Sequence, residues 1–172
     1  VFCYLDSRYS IHGRVAQQTH YELESLPTGH WGYHHFPKLA RQISNLGVPW
    51  IGQTGRFQKS WGDFGGIKPV PALEFECFRA QALGGGVEVG DQLHPRGTLD
   101  RGAYALIKTV FAQVRAAEPF YADSVACPQI GILLAGLPGD DESLTARSES
   151  GAVMLAEETH YDCAVLDDAA DF

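Results

Sequence analysis

Apolar residues come in short bursts along this chain, and each burst runs into a polar stretch crowded with rings, arginines and carboxylates. Val1–Tyr4 reads as a strand, followed by a polar loop through Gln18. Tyr21–Leu26 is a second strand, and the alternation of side chains puts Glu22 and Glu24 on one side of it. Phe36–Leu46 carries a helical pattern, with Pro37 tolerated in the first turn and Gly47 closing the element. Val48–Gln53 is a third strand. The next helix is predicted from about Pro71 to Leu83, stopped by three glycines, and Val87–Val89 is a fourth strand. Asp100 stands as an N-cap. Behind it Ala103, Ile107, Val110, Phe111 and Val114 form an apolar helical stripe, which Pro119 is expected to end.

Strand, rich loop and helix thus recur three times, with loops spanning His20 to His35, Gln53 to Gly66 and Gly90 to Asp100. That order predicts an α/β fold with a parallel sheet. Such folds place their chemistry in the loops that leave the carboxyl ends of the strands. The stretch AEPFYADSVACP then reads as a linker. Beyond it come a buried-type strand (Gln129–Leu134), a long polar loop (GLPGDDESLTARSES), a helix (Glu149–Thr159) and a strand (Cys163–Leu166). This is the opening of a second, doubly wound unit. The chain starts inside an apolar strand and ends on one, so it is expected to be an interior piece of a longer protein.

Length and charge narrow the picture. The 172 residues can bury a substantial core. A formal charge of −8 with scattered positive residues argues against a nucleic-acid partner, which needs a basic stripe. Apolar runs are too short to span a bilayer, and no signal segment opens the chain. The four cysteines (Cys3, Cys77, Cys127, Cys163) form no CxxC pair, which argues against a zinc knuckle or redox dithiol and fits a reducing cytoplasm.

Within the loops each candidate has two readings. Glu22 and Glu24, beside His20, supply either a general acid or structural carboxylates. Trp31 and Tyr33 either stack on a sugar ring or pack beneath the loop. Arg56 either clamps hydroxyls or a carboxylate, or forms a surface pair with an Asp; Trp61 and Asp63 share its Gly-rich loop. Asp91, His94 and Arg96 either hydrogen-bond a polyhydroxylated ligand or pair internally, Asp91 with Arg96. One Asp and one His make only half a metal-ligand set, so no metal is expected. Glu74 and Glu76 are expected on an outer helical layer, Glu76 paired with Arg79. His34 and His35 read as surface or capping residues, and Asp167, Asp168 and Asp171 as a solvated strand exit.

The runs ELESLPTGHWGYHHFPKLAR, TGRFQKSWGDFGGIKP, ALEFECFRA and GDQLHPRGTLD, in that order, resemble bacterial glycoside hydrolases whose barrel is akin to that of the α-L-fucosidases. In those proteins a β-galactosidase-type trimerisation domain follows, and the tail from Gln129 resembles its opening. The resemblance implies that residues 1–122 are the C-terminal half of a (β/α)8 TIM-type barrel and 123–172 the start of a flavodoxin-like, doubly wound domain. Tyr21-Glu22 and Trp31-Gly32-Tyr33 stand where classical α-L-fucosidases have a Trp-Glu pair and a Trp-Gly-Tyr run. That alignment implies Glu22 as acid/base, with Glu24 as the alternative. Tyr21 departs from the usual Trp, and Gln58 stands where close relatives often have His. The family nucleophile, an Asp ending the fourth barrel strand, would precede Val1; Asp6 does not match it. The resemblance further implies a retaining mechanism on a terminal sugar, α-L-fucose first. It implies a carbohydrate substrate, no cofactor and a homo-oligomeric full-length protein, a trimer among the forms open to it; half a barrel, with exposed sheet edges and without its nucleophile, is expected to be inactive. A β-galactosidase-like enzyme and a non-catalytic carbohydrate-binding or assembly module are the competing expectations.

Overall fold

The computed structural model describes residues 19–134 and 142–166. The expected strand Val1–Tyr4, its loop with Asp6, residues 135–141 and the aspartates 167, 168 and 171 lie outside the described residues.

Strands β1 (Tyr21–Glu24), β2 (Trp50–Gly55) and β3 (Gly86–Gly90) form a parallel sheet in that order. The connections are helices α1 (His35–Ser44) and α2 (Val70–Ala82), and α3 (Arg101–Tyr121) follows β3. Strands β4 (Ile130–Leu133) and β5 (Cys163–Leu166) form a second parallel pair, joined through α4 (Glu142–Glu158). The fold is therefore mixed α/β with parallel sheets, as the element order predicts. Among the described residues no helix is long and apolar enough to cross a membrane.

Local chemistry sets the boundaries. In α1, Phe36, Ala40 and Ile43 recur at helical spacing and bury against Tyr21, Leu23 and Trp50. Helix α2 opens at Pro69 and Pro71. It closes when the Gly84 and Gly85 N–H groups bond the Gln81 and Ala80 carbonyls at 2.9 Å each, with Gly84 at φ 88°. Asp100 caps α3 by accepting from the Ala103 N–H at 2.9 Å. Its apolar stripe (Ala103, Leu106, Val110, Val114) packs on Leu73 and Cys77 of α2.

Three expectations at element level are corrected. Pro119 lies inside α3 rather than ending it, and the Ala122 N–H still reaches the Glu118 carbonyl at 2.9 Å. Its fixed φ is helical, and in an exposed final turn one missing hydrogen bond is tolerated. The polar stretch before Glu149 is helical from Glu142, because nothing in ESLTARS breaks a helix. Strand β4 is only partly buried: Ile132 packs on the α4 core, but Ile130, at the strand's start, and Leu133, on the face away from that core, are exposed.

The two units meet along α1. Lys38 donates to Glu149 at 2.6 Å, Arg41 to Glu157 at 2.7 Å and to Asp162 at 3.3 Å, and Asn45 to the Val165 carbonyl at 2.6 Å. Arg79 of α2 reaches the same Glu157 oxygen.

Candidate functional site

The three-stranded sheet has two unlike faces. Tyr21, Leu23, Trp50 and Gly52 turn toward α1 and α2. Alternation sends Glu22, Glu24, Gln53 and Glu88 to the opposite face. Register aligns three of them, with Glu24 beside Gln53 and Gln53 beside Glu88. The result is a carboxylate–amide–carboxylate row across three strands.

The row is held from within. Gln53 donates its side-chain N–H to Glu88 Oε1 at 3.2 Å, and its own Oε1 is buried with no partner among the described residues. The Trp61 indole N–H donates to Glu24 Oε1. Trp61 reaches Glu24 by lying flat on Gly90, where any Cβ would collide with its ring. Glu22 sits one pleat toward the strand's beginning, with His20 Nε2 at 3.4 Å from its Oε1. Glu24 is 6% exposed, under the Trp61 loop.

The loops after β2 and β3 are tied together by Arg56, which is 2% exposed. Its Nε donates to Asp91 Oδ1 at 2.8 Å and one terminal nitrogen to the Phe64 and Gly66 carbonyls at 3.1 and 2.8 Å. Its backbone N–H bonds the Gly90 carbonyl at 3.0 Å. Of its two readings the structure therefore has the Asp pair, but buried, and Asp91 pairs with Arg56 instead of Arg96. Asp63 closes its own loop by accepting from the Lys59 N–H at 3.2 Å.

The other candidates lie apart from the row. Residues 27–31 form one wide helical turn, and the Lys59 carbonyl fills the place a Cβ of Gly29 would take. Trp31 ends that turn, with its ring 4.6 Å from His35 and its N–H on His30 at 3.2 Å. Tyr33 points toward the helical layer, its hydroxyl donating to Glu76 Oε1 at 3.3 Å. Burial, then the Glu76 charge, pushes the Tyr33 phenol above its ordinary value. His35 opens α1 and meets Ser25 Oγ at 3.2 Å, so it is neither a cap nor a free surface residue. His94 accepts from the Arg96 N–H at 3.3 Å and stands edge-on to Phe64.

Glu76 corrects its expected outward placement. Its Oε2 accepts from Lys68 Nζ and Thr54 Oγ1 at 2.5 Å each, beneath β2. Helical phase puts it on the stripe of Leu73, Cys77 and Ala80, and Lys68 neutralises it there. Burial lowers the Lys68 ammonium from its ordinary value, against the pull of Glu76, and pushes the Cys77 thiol up to about 12.

Glu88 and Gln53 carry the row and were absent from the sequence candidates. Val87-Glu88-Val89, a carboxylate between two valines in a strand, is the alternation that marks Glu88 as facing away from the core. Among the described residues no three His, Cys, Asp or Glu side chains stand together as a metal site.

No protein-family profile matches the chain, and no curated protein does. Among solved structures, α-L-fucosidase isoenzyme 2 from Paenibacillus thiaminolyticus superposes on 94% of the chain with a TM-score of 0.83 and 36% sequence identity. This chain is similar, in fold and in sequence, to part of an α-L-fucosidase. It spans 26% of that enzyme's length.

Proposed function

We propose that this chain is part of a retaining α-L-fucosidase and that Glu24 is its general acid/base. The observation that carries the reading is the Glu24–Gln53–Glu88 row under Trp61, with Glu24 the last residue of its parallel strand, in a chain 36% identical to part of a fucosidase. Catalytic groups of β/α barrels project from that end. Glu24 is nearer to it than Glu22, which the Trp-Glu alignment favours. Residues 1–122 are read as the C-terminal half of the barrel and 123–172 as the beginning of a doubly wound, trimerisation-type domain. The full protein is read as a cytoplasmic homo-oligomer acting without a cofactor on carbohydrate.

In this mechanism a nucleophilic Asp before Val1 attacks the anomeric carbon. Glu24 gives its proton to the departing glycosidic oxygen and, as carboxylate, then takes one from the water that releases the sugar. The two carboxyls would stand roughly 5 Å apart. The Trp61 N–H fixes the orientation of Glu24, and the unpartnered Gln53 oxygen offers an acceptor for a sugar hydroxyl.

The test compares Glu24→Gln and Glu22→Gln in the full-length protein. Glu24→Gln is expected to lower kcat on a poor leaving group about 10²–10⁴-fold. Azide should restore turnover of an activated aryl fucoside, because it needs no general base. Collapse and azide rescue in Glu22→Gln alone would move the role one pleat down. A wild-type protein that turns over no glycoside would favour the binding-module reading.

A further inference from the structure

Beside the carboxylate row lies a cleft of about 290 Å³, between the loops after β2 and β3 and the start of α3. That is near the lower end of ligand-pocket sizes, about 300–1,000 Å³. Phe64, Gln92, His94, Arg96, Leu99 and Arg101 line it, together with the Arg56 and Asp100 side chains. The Trp61 loop links it to the row: Gln92 Oε1 lies near Gly62, the residue after the Trp61 whose indole N–H reaches Glu24.

Its charge is lopsided. The two carboxylates at its edge are engaged, Asp91 by Arg56 and Asp100 by the α3 N-terminus. The Arg96 and Arg101 guanidiniums have no hydrogen-bonding or ionic partner among the described residues, and both residues are exposed. In a chain of net charge −8, two unpaired guanidiniums with a histidine between aromatic and amide walls form a local positive pocket. An anionic group is what such a pocket holds, since guanidinium forks match the two oxygens of a carboxylate or sulfate. Phe64 is 42% exposed and offers a ring face to the apolar side of a sugar.

We infer that this cleft binds an acidic sugar residue, a uronic acid or a sulfated sugar, adjacent to the one cleaved. The inference rests on the fucosidase reading for its place in the substrate. Arg96 and Arg101 grip the anion, Gln92 hydrogen-bonds a ring hydroxyl, and Phe64 stacks beneath the ring. The substrate class is then a fucosylated acidic glycan.

The test uses the full-length protein and two matched pairs of fucosides. One pair has glucose or glucuronic acid as the leaving sugar, and the other N-acetylglucosamine or its 6-sulfate. The wild type should show a lower KM for the acidic member of at least one pair, and which pair responds distinguishes carboxylate from sulfate. In Arg96→Gln/Arg101→Gln the KM ratio of neutral to acidic substrate should fall about tenfold or more. Arg→Lys variants should keep part of it, and added salt should erode it in the wild type. Equal KM within both pairs, or a variant that weakens both members alike, overturns the inference. If no fucoside is turned over the fucosidase reading fails, and the cleft is judged by titration with free glucuronate against glucose. Glucuronate binding that the double variant abolishes sustains an anion site, and its absence in the wild type removes it.

Discussion

Lys68 and Glu76 face each other across 2.5 Å beneath β2, with side chains 1% and 4% exposed. Removing one partner strands a buried charge. Glu76→Gln is therefore expected to lower the unfolding free energy by about 3–5 kcal/mol, measured by urea titration, whereas Lys68→Met/Glu76→Leu should recover most of that loss. Next to the pair, the Cys77 thiol is pushed up to about 12. At pH 8 iodoacetamide should label exposed Cys127 in the folded protein and spare Cys77 until urea unfolds it, as read by peptide mass spectrometry. The sequence marked the helix on which Glu76 sits but not its burial. Its partners are Lys68 in a loop and Thr54 in a strand, and no single-element pattern connects them. Arg56 is a similar case, since its two readings differ only in what lies across the next loop. Glu88 was legible, because strand alternation needs no distant partner.

Among the elements, α3 depends most visibly on a single terminus. Asp100 is held below its ordinary value of 3.8, first by the Ala103 N–H; burial opposes this, and the Gly102 N–H and the Arg56 and His94 charges add to the lowering. A carboxylate with a depressed folded value stabilises the fold above pH 3.8 and loses that effect as pH falls through the depressed value. Asp100→Ala should lower Tm at pH 7, and the gap to the wild type should narrow in thermal melts as the pH falls below 3.8. The cap was readable because it is local, a short polar residue before an apolar stripe. Strand and helix order was readable for the same reason. The end of α3 was not, since Pro119 breaks a helix only where the lost bond matters. Nor was the helical start of α4, where a polar run carries no periodic signal.

At the scale of the whole molecule, Glu157 receives both Arg41 and Arg79, 116 and 78 residues away in sequence. It joins the β4–β5 unit to the larger sheet through charge rather than apolar surface. Glu157→Ala leaves two guanidiniums without their shared acceptor. It should destabilise the protein by about 1–3 kcal/mol and speed proteolysis in residues 122–129, followed by timed digestion. These ties were invisible in the sequence because both partners are ordinary helix-surface charges until the units meet. The same holds for the row of Glu24, Gln53 and Glu88. The side of each residue on its own strand could be read, but their alignment comes from the register between strands.

Helix α1 has no idle side. One flank presses on the larger sheet, the other is pinned to α4 and β5, and its first residue stands edge-on to Trp31. It works as a shared axle. A displacement of the β4–β5 unit would reach α1 through these contacts and, along it, the turn at 27–31 beside the site.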